Sequence, residues 1–186
     1  MKIAADDTLN GRATLKTKWI DYYMRMAELT ASLSTAVRLQ VGSVIVKDSR
    51  VLATGYNGTP AGWDNNCEEI EWCSGGGWLS QQEIEEGWPY EGTYIDDSGV
   101  EMSGRYRLVT KPIVLHSEMN ALMKVARSTE SSEGSTLFCT HAPCLNCAKA
   151  IYQAGISSLY YRNGYRDDSG INFLEKSGVT ITQHTS

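Results

Sequence analysis

The sequence predicts an α/β fold in which a mixed, mostly parallel five-stranded sheet carries helices on both faces, a three-layer sandwich. Three observations predict it. A helical apolar repeat opens the chain, a hairpin pattern follows, and from Pro112 onward strand-like and helix-like stretches alternate. Such alternation is what parallel strands joined by crossover helices require. A length of 186 residues suits one domain over residues 1–186 with a sizeable core.

The elements follow in order. Leu15, Trp19, Tyr22, Tyr23, Met26, Leu29 and Leu33 recur at helical spacing and predict one buried helix face. The run VGSVIVKDSRVLATGYNG then places a polar KDSR turn between two β-rich stretches, a hairpin signal. Residues 62–101 hold eleven of the 22 acidic side chains, no Lys or Arg, and Trp63, Trp72, Trp78 and Trp88. This segment reads as an insertion with little regular structure: either an excursion pinned by its tryptophans, or a lid or effector-binding element. Ser80 and Glu83 match a capping box, so a short helix fits within it. Beyond Pro112 the pattern predicts helices over 116–127, 144–154 and 168–177 and strands over 135–140, 157–162 and 178–183.

Composition narrows the function classes. No run of about 18 apolar residues is present to span a bilayer, and the opening MKIAADDTLN lacks a signal-peptide pattern. The expected compartment is the cytosol and no membrane partner is expected. Five cysteines without an export signal point to metal ligation or thiolate chemistry rather than disulfides. The net charge is −5, but the acidic segment accounts for more than that and leaves the remainder basic. A phosphate-bearing small molecule suits this balance, and a polynucleotide is not the expected partner.

Two clusters carry the chemistry. His116-Ser117-Glu118 opens one predicted helix, and Pro143-Cys144-Leu145-Asn146-Cys147 opens the next. Cys144 and Cys147, at i and i+3, share one side of a first turn, and a helix N-terminus favours the thiolates a metal needs. One histidine and two thiolates give three protein ligands for a tetrahedral Zn²⁺ and keep a fourth position open, which separates catalytic from structural sites. Glu118 is then a carboxylate placed to move protons, and the joint pattern H-x-E with P-C-x-x-C resembles the signature of zinc deaminases. His141 reads as a packing or substrate-contact residue, and His184 as a solvated tail residue. Cys67 and Cys73 read either as half of a second zinc site or as two free cysteines, and Cys139 as a buried apolar residue.

These residues resemble the deoxycytidylate (dCMP) deaminases of the cytidine deaminase superfamily. RLQVGSVIVKDSRVLATGYNGTPAGWDNNC, HSEMNAL and THAPCLNCAKAIYQAGI carry the likeness, which covers most of the chain outside 62–112. GYNGTPAG narrows it to the deoxycytidylate branch. The resemblance implies a cytidine deaminase-like fold and hydrolysis of dCMP to dUMP and ammonia, supplying dUMP for thymidylate synthesis. It implies His116, Cys144 and Cys147 as zinc ligands, Glu118 as proton shuttle, and Asn57 as a contact to the sugar. It also implies a homo-oligomer, often a hexamer, with dCTP and dTTP as effectors, Mg²⁺ accompanying the triphosphate, and Arg127 tied to the effector response. Arg127 reads equally as a solvated helix arginine. For the phosphate, Arg38 is the first choice over Arg105, Arg107 and Lys111 or Arg162 and Arg166, and Tyr165 is placed to pack on base or sugar. The alternatives are a tRNA adenosine deaminase and a zinc-stabilised binding module without turnover. Glu118 argues against the second, since a structural site has no use for a carboxylate beside an open position.

Overall fold

The computed structural model describes residues 8–9, 12–13, 15–73 and 79–185. In chain order its elements are β1 (Thr8–Leu9), β2 (Arg12–Ala13), α1 (Thr17–Ala31), β3 (Gly42–Lys47), β4 (Arg50–Tyr56), β5 (Glu68–Trp72), α2 (Gln81–Gly87) and β6 (Tyr90–Ile95). They continue with β7 (Glu101–Thr110), α3 (Ser117–Ala126), β8 (Thr136–His141), α4 (Leu145–Gln153), β9 (Ser158–Asn163), α5 (Ser169–Lys176) and β10 (Thr180–Gln183). The chain divides into two compact units, one of Met1–Ser34, Gln40–Gly58 and Leu115–Ser186, the other of Thr35–Leu39 and Thr59–Val114.

The first unit is built on a five-stranded mixed sheet of order β10-β9-β8-β3-β4. β10, β9 and β8 run parallel, while β3 pairs antiparallel with both β8 and β4. Alternation along β3 and β8 sends side chains to opposite faces. Val44, Val46 and Phe138 join Tyr23, Met24 and Ala27 of α1 on one face. Ile45, Leu137 and Cys139 face Ala121 and Val125 of α3, Ile151 of α4 and Leu174 of α5 on the other. Between β3 and β4 the chain turns at Asp48 and Ser49, both at positive φ (49° and 62°), the backbone of the tight hairpin turn whose twist matches its strands.

Helix α1 forms where the apolar repeat predicts it, with a buried face that matches the expected one only in part. Tyr23 is buried and Leu15 and Met26 pack against the same cluster, but Trp19, Tyr22, Leu29 and Leu33 are exposed, Leu29 at 73%, and Met24, Ala27 and Ala31 are buried in their place. The reason is close approach. A Cβ on Gly42 would lie 2.0 Å from the Ala27 carbonyl oxygen, so the helix backbone rests on β3 and only small residues fit at the contact. His184, expected in solvent, is instead bonded through Nε2 to Asp21 of α1 at 2.7 Å with its side chain 11% exposed. Its backbone N–H also donates to the Tyr161 carbonyl, extending the β10 edge.

The second unit corrects the expectation of little regular structure. Its core element is a three-stranded antiparallel sheet of order β5-β7-β6. Gly92 and Gly104 are paired across β6 and β7, and the Trp72 ring covers both, lying 4.6 Å from Tyr94 and 5.0 Å from Tyr106 by ring centroids. Trp88 lies under the Arg107 guanidinium, whereas Trp63 is exposed and Trp78 falls outside the described residues. The short helix α2 has the expected capping box, with Ser80 and Glu83 serving each other's backbone N–H. Cys67 is buried and Cys73 half-buried, and neither belongs to a potential metal-binding group among the described residues. Among those residues, no helix is long and apolar enough to cross a membrane.

Candidate metal centre

Two backbone approaches place the site on the α3, α4 and α5 face of the larger sheet. A Cβ on Gly55 would fall 2.2 Å from the Ser117 carbonyl oxygen, so the first turn of α3 sits directly on β4. Gly58 and Leu115 exchange two backbone hydrogen bonds of 3.1 and 2.9 Å just before His116. The Asn120 amide then donates to the Tyr56 carbonyl at 2.8 Å and locks the same turn. At α4, a Cβ on Gly170 would meet the Pro143 carbonyl oxygen at 2.0 Å, which sets the start of α5 against the Pro143–Cys144 peptide.

His116 and Cys144 are the N-cap residues of α3 and α4, and Cys147 lies in the first turn of α4. Both helix ends direct partial positive charge toward one point. Around it, His116 Nδ1 lies 3.6 Å from Cys144 Sγ and 3.4 Å from Cys147 Sγ, and all three ligand atoms fall within 4.8 Å of one another. Ligands at tetrahedral angles on zinc, with nitrogen and sulfur at their usual bond lengths, are separated by about 3.6 Å. The donor set and its spacing therefore fit zinc. Among the described residues this is the one group of three or more such side chains. Cys147 is buried, Cys144 half-buried and His116 exposed, so the cluster is closed on the protein side and open on one other.

As protein groups alone, the three share protons. Hydrogen bonds from Cys147 and then His116 hold the Cys144 thiol down at about 3. The same contact with Cys144, together with burial, holds the Cys147 thiol up, and the sulfur of Cys144 raises His116. A divalent cation at the centre would reverse this for Cys147, because a coordinating thiol is deprotonated outright.

Glu118 follows in the first turn of α3 and is 4% exposed. Burial raises its carboxyl above the usual range, opposed by its backbone hydrogen bond, by the charge of His116, and by the Ser117 hydroxyl that donates to Oε2 at 3.0 Å. A carboxyl raised in this way is better matched to accepting and returning a proton than an ordinary one.

The family model for the cytidine and deoxycytidylate deaminase zinc-binding region matches residues 17–163. The chain belongs to this family. A deoxycytidylate deaminase of Saccharomyces cerevisiae is 32% identical over 98% of this chain and 50% of its own length. The deoxycytidylate deaminase of Enterobacteria phage T4 is 33% identical, covering 76% of each chain. Among solved structures, the dCMP deaminase of cyanophage S-TIM5 in complex with dCMP and dUMP aligns with a TM-score of 0.70 and 37% identity. That alignment covers 92% of this chain and all of the cyanophage chain. This deaminase-family chain thus spans half the length of the yeast relative and the whole of the cyanophage one.

Of the other residues singled out by sequence, Asn57 precedes Gly58, which is bridged to Leu115, the residue before His116. Its Oδ1 accepts from the Val41 N–H at 2.8 Å, which fixes the orientation of the carboxamide. Tyr165 is half-buried in the β9–α5 loop, with the Arg166 guanidinium over its ring. Arg166 is close enough for its charge to depress His116, whereas Arg162 pairs with Glu28 at 2.9 Å. Arg38 belongs to the second unit, where it donates to Thr110 Oγ1 at 3.2 Å. Arg127 caps the far end of α3, about 17 Å from His116 at the helical rise per residue. His141 stays outside the cluster; its Nδ1 bonds to Thr140 and burial lowers its pKa. Two buried serines behind Glu118, Ser43 and Ser117, carry no assignment in the sequence reading, although Ser117 is the middle residue of its motif and Ser43 a polar residue in an apolar strand.

Proposed function

We propose that this chain hydrolyses dCMP to dUMP and ammonia, with zinc held by His116, Cys144 and Cys147 and Glu118 as the catalytic acid and base. The observation that carries the reading is the convergence of one imidazole and two thiols within 4.8 Å, beside a buried carboxylate on the same helix turn. The named activity of relatives that this chain matches over most of its length supports the substrate.

When bound, zinc supplies Lewis acidity that makes water nucleophilic at neutral pH. Glu118 takes a proton as water adds to C4 of the pyrimidine and delivers it to ring N3. Glu118 then carries the second proton to the exocyclic amine, which leaves as ammonia while C4 becomes a carbonyl. Asn57, held by Val41, orients the sugar, and Tyr165 flanks the ligand.

For the phosphate, Arg38 is the choice that the family resemblance supports, and Arg166, whose charge reaches His116, is the second candidate. Replacing the arginine that serves should raise KM for dCMP while leaving that for deoxycytidine unchanged. The family resemblance supports the remaining parts of the reading: a cytosolic homo-oligomer, and dCTP and dTTP effectors with Mg²⁺ in which Arg127, remote from the centre, takes part.

An absorbance assay across cytidine, CMP, dCMP, dCTP and adenosine-containing RNA tests the substrate. Turnover should be highest on dCMP. Preference for unphosphorylated cytidine, or salt-sensitive turnover of the RNA, would refute the assignment.

A further inference from the structure

We propose that Ser43 and Ser117 are positioning residues that hold the Glu118 carboxylate in its working orientation at the metal centre. This rests on the deaminase reading above and adds residues to it. Ser43, Ser117 and Cys139 are all 0% exposed, and they form a continuous polar line behind Glu118 in an otherwise apolar layer. Cys139 Sγ lies 3.2 Å from Ser43 Oγ, which lies 2.6 Å from Ser117 Oγ, which donates to Glu118 Oε2 at 3.0 Å.

The geometry leaves these groups little freedom. Ser43 sits on the interior strand β3, paired across the sheet with Gly55 on one side and Cys139 on the other, so the Ser43 and Cys139 side chains share the face that packs on α3. Gly55 is where the Ser117 carbonyl touches the sheet, and that contact fixes the backbone from which the Ser117 hydroxyl projects. A buried serine pair within an apolar core costs free energy unless every hydrogen finds an acceptor.

Counting hydrogens shows how the line serves Glu118. Each hydroxyl offers one hydrogen, and the thiol offers a third. With Glu118 ionised, Ser117 donates to it and Ser43 donates to Ser117, while the thiol lies 3.8 Å from the Ser117 oxygen. With Glu118 carrying a proton, the line reverses: the carboxyl donates to Ser117, Ser117 to Ser43, and Ser43 to the sulfur of Cys139. In both states each serine hydrogen has an acceptor, without moving a heavy atom. The carboxylate therefore stays aimed at the centre throughout the cycle, a form of preorganisation that lowers the barrier rather than strengthening substrate binding.

The test compares Ser117→Ala, Ser43→Ala and the double variant in the zinc-loaded enzyme. Loss of one buried hydrogen bond to a charged group corresponds to a fall in kcat of about tenfold for Ser117→Ala, and about fivefold is expected for Ser43→Ala. KM should change less than about twofold, and zinc content should match the wild type. Because Ser43 acts through Ser117, adding Ser43→Ala to Ser117→Ala should cost no further kcat. Additive losses, losses that follow melting temperature or zinc content, or wild-type kcat in Ser117→Ala would overturn the assignment. Failure of the deaminase reading would show separately, as a zinc-loaded wild type without turnover on dCMP. A crystal structure of zinc-loaded Ser117→Ala supplies a readout independent of activity. Glu118 should split between rotamers there, and a single unchanged position overturns the proposal.

Discussion

The two units of this chain are stabilised differently, although each centres on an antiparallel or mixed sheet. In the larger unit, backbone meets backbone at Gly42, Gly55 and Gly170, and a continuous apolar layer fills the space between sheet and helices. In the smaller unit, α2 buries no residue, ion pairs join Arg107 to Glu71 and Arg105 to Glu91 in the open, and one tryptophan covers a pair of glycines. Close-packed backbone contacts tolerate almost no added volume, whereas exposed pairs and aromatic covers yield gradually. A catalytic constellation needs the first kind of support, since small displacements of its groups are costly. The metal-binding cluster and Glu118 lie in the larger unit.

Substitutions in the two units should therefore differ in kind as well as in size. Glu118→Ala should produce the largest effect, lowering kcat on dCMP by about 10²- to 10⁴-fold while zinc stays bound, as read by absorbance and metal analysis. Gly170→Ala should come next. Its new methyl meets the Pro143 carbonyl at 2.0 Å, so denaturation should show a loss of about 1–3 kcal/mol, and zinc affinity should fall as Cys144 shifts. In the smaller unit, Trp72→Ala should cost about 1–2 kcal/mol through its two lost ring contacts, with zinc content unchanged. Arg107→Ala should do least. Its pair with Glu71 is nearly half exposed on both sides and its guanidinium also covers Trp88, so denaturation should show a loss of about 1 kcal/mol or less. If Trp72→Ala removed zinc as effectively as Gly170→Ala, the contrast between the units would fail.

The same contrast explains what could be read in advance. The helices and strands after Pro112 were legible because apolar spacing and length separate the two kinds of element there, and the HSE and PCLNC motifs placed the cluster on two helix starts. The buried face of α1 was legible only in part. Its outward Trp19 and Leu29 fit a helical repeat as well as its inward Tyr23 and Ala27, and only the approach to Gly42 decides between them. Strands such as EEIEW and YEGTYI were hidden by charge and glycine, since their pairing depends on Trp72 lying over glycines 20 and 32 positions away. The role of Ser43 could not be seen either, because its partner Ser117 lies 74 positions further along the chain.

The central claim is that His116, Cys144 and Cys147 together hold one zinc ion and leave a position for water. X-ray absorption at the zinc edge of the purified protein tests it most directly. The spectrum should require two sulfurs at about 2.3 Å and two lighter atoms, one an imidazole nitrogen, at about 2.0 Å. A shell of four sulfurs, or full dCMP turnover by protein free of zinc, would contradict it.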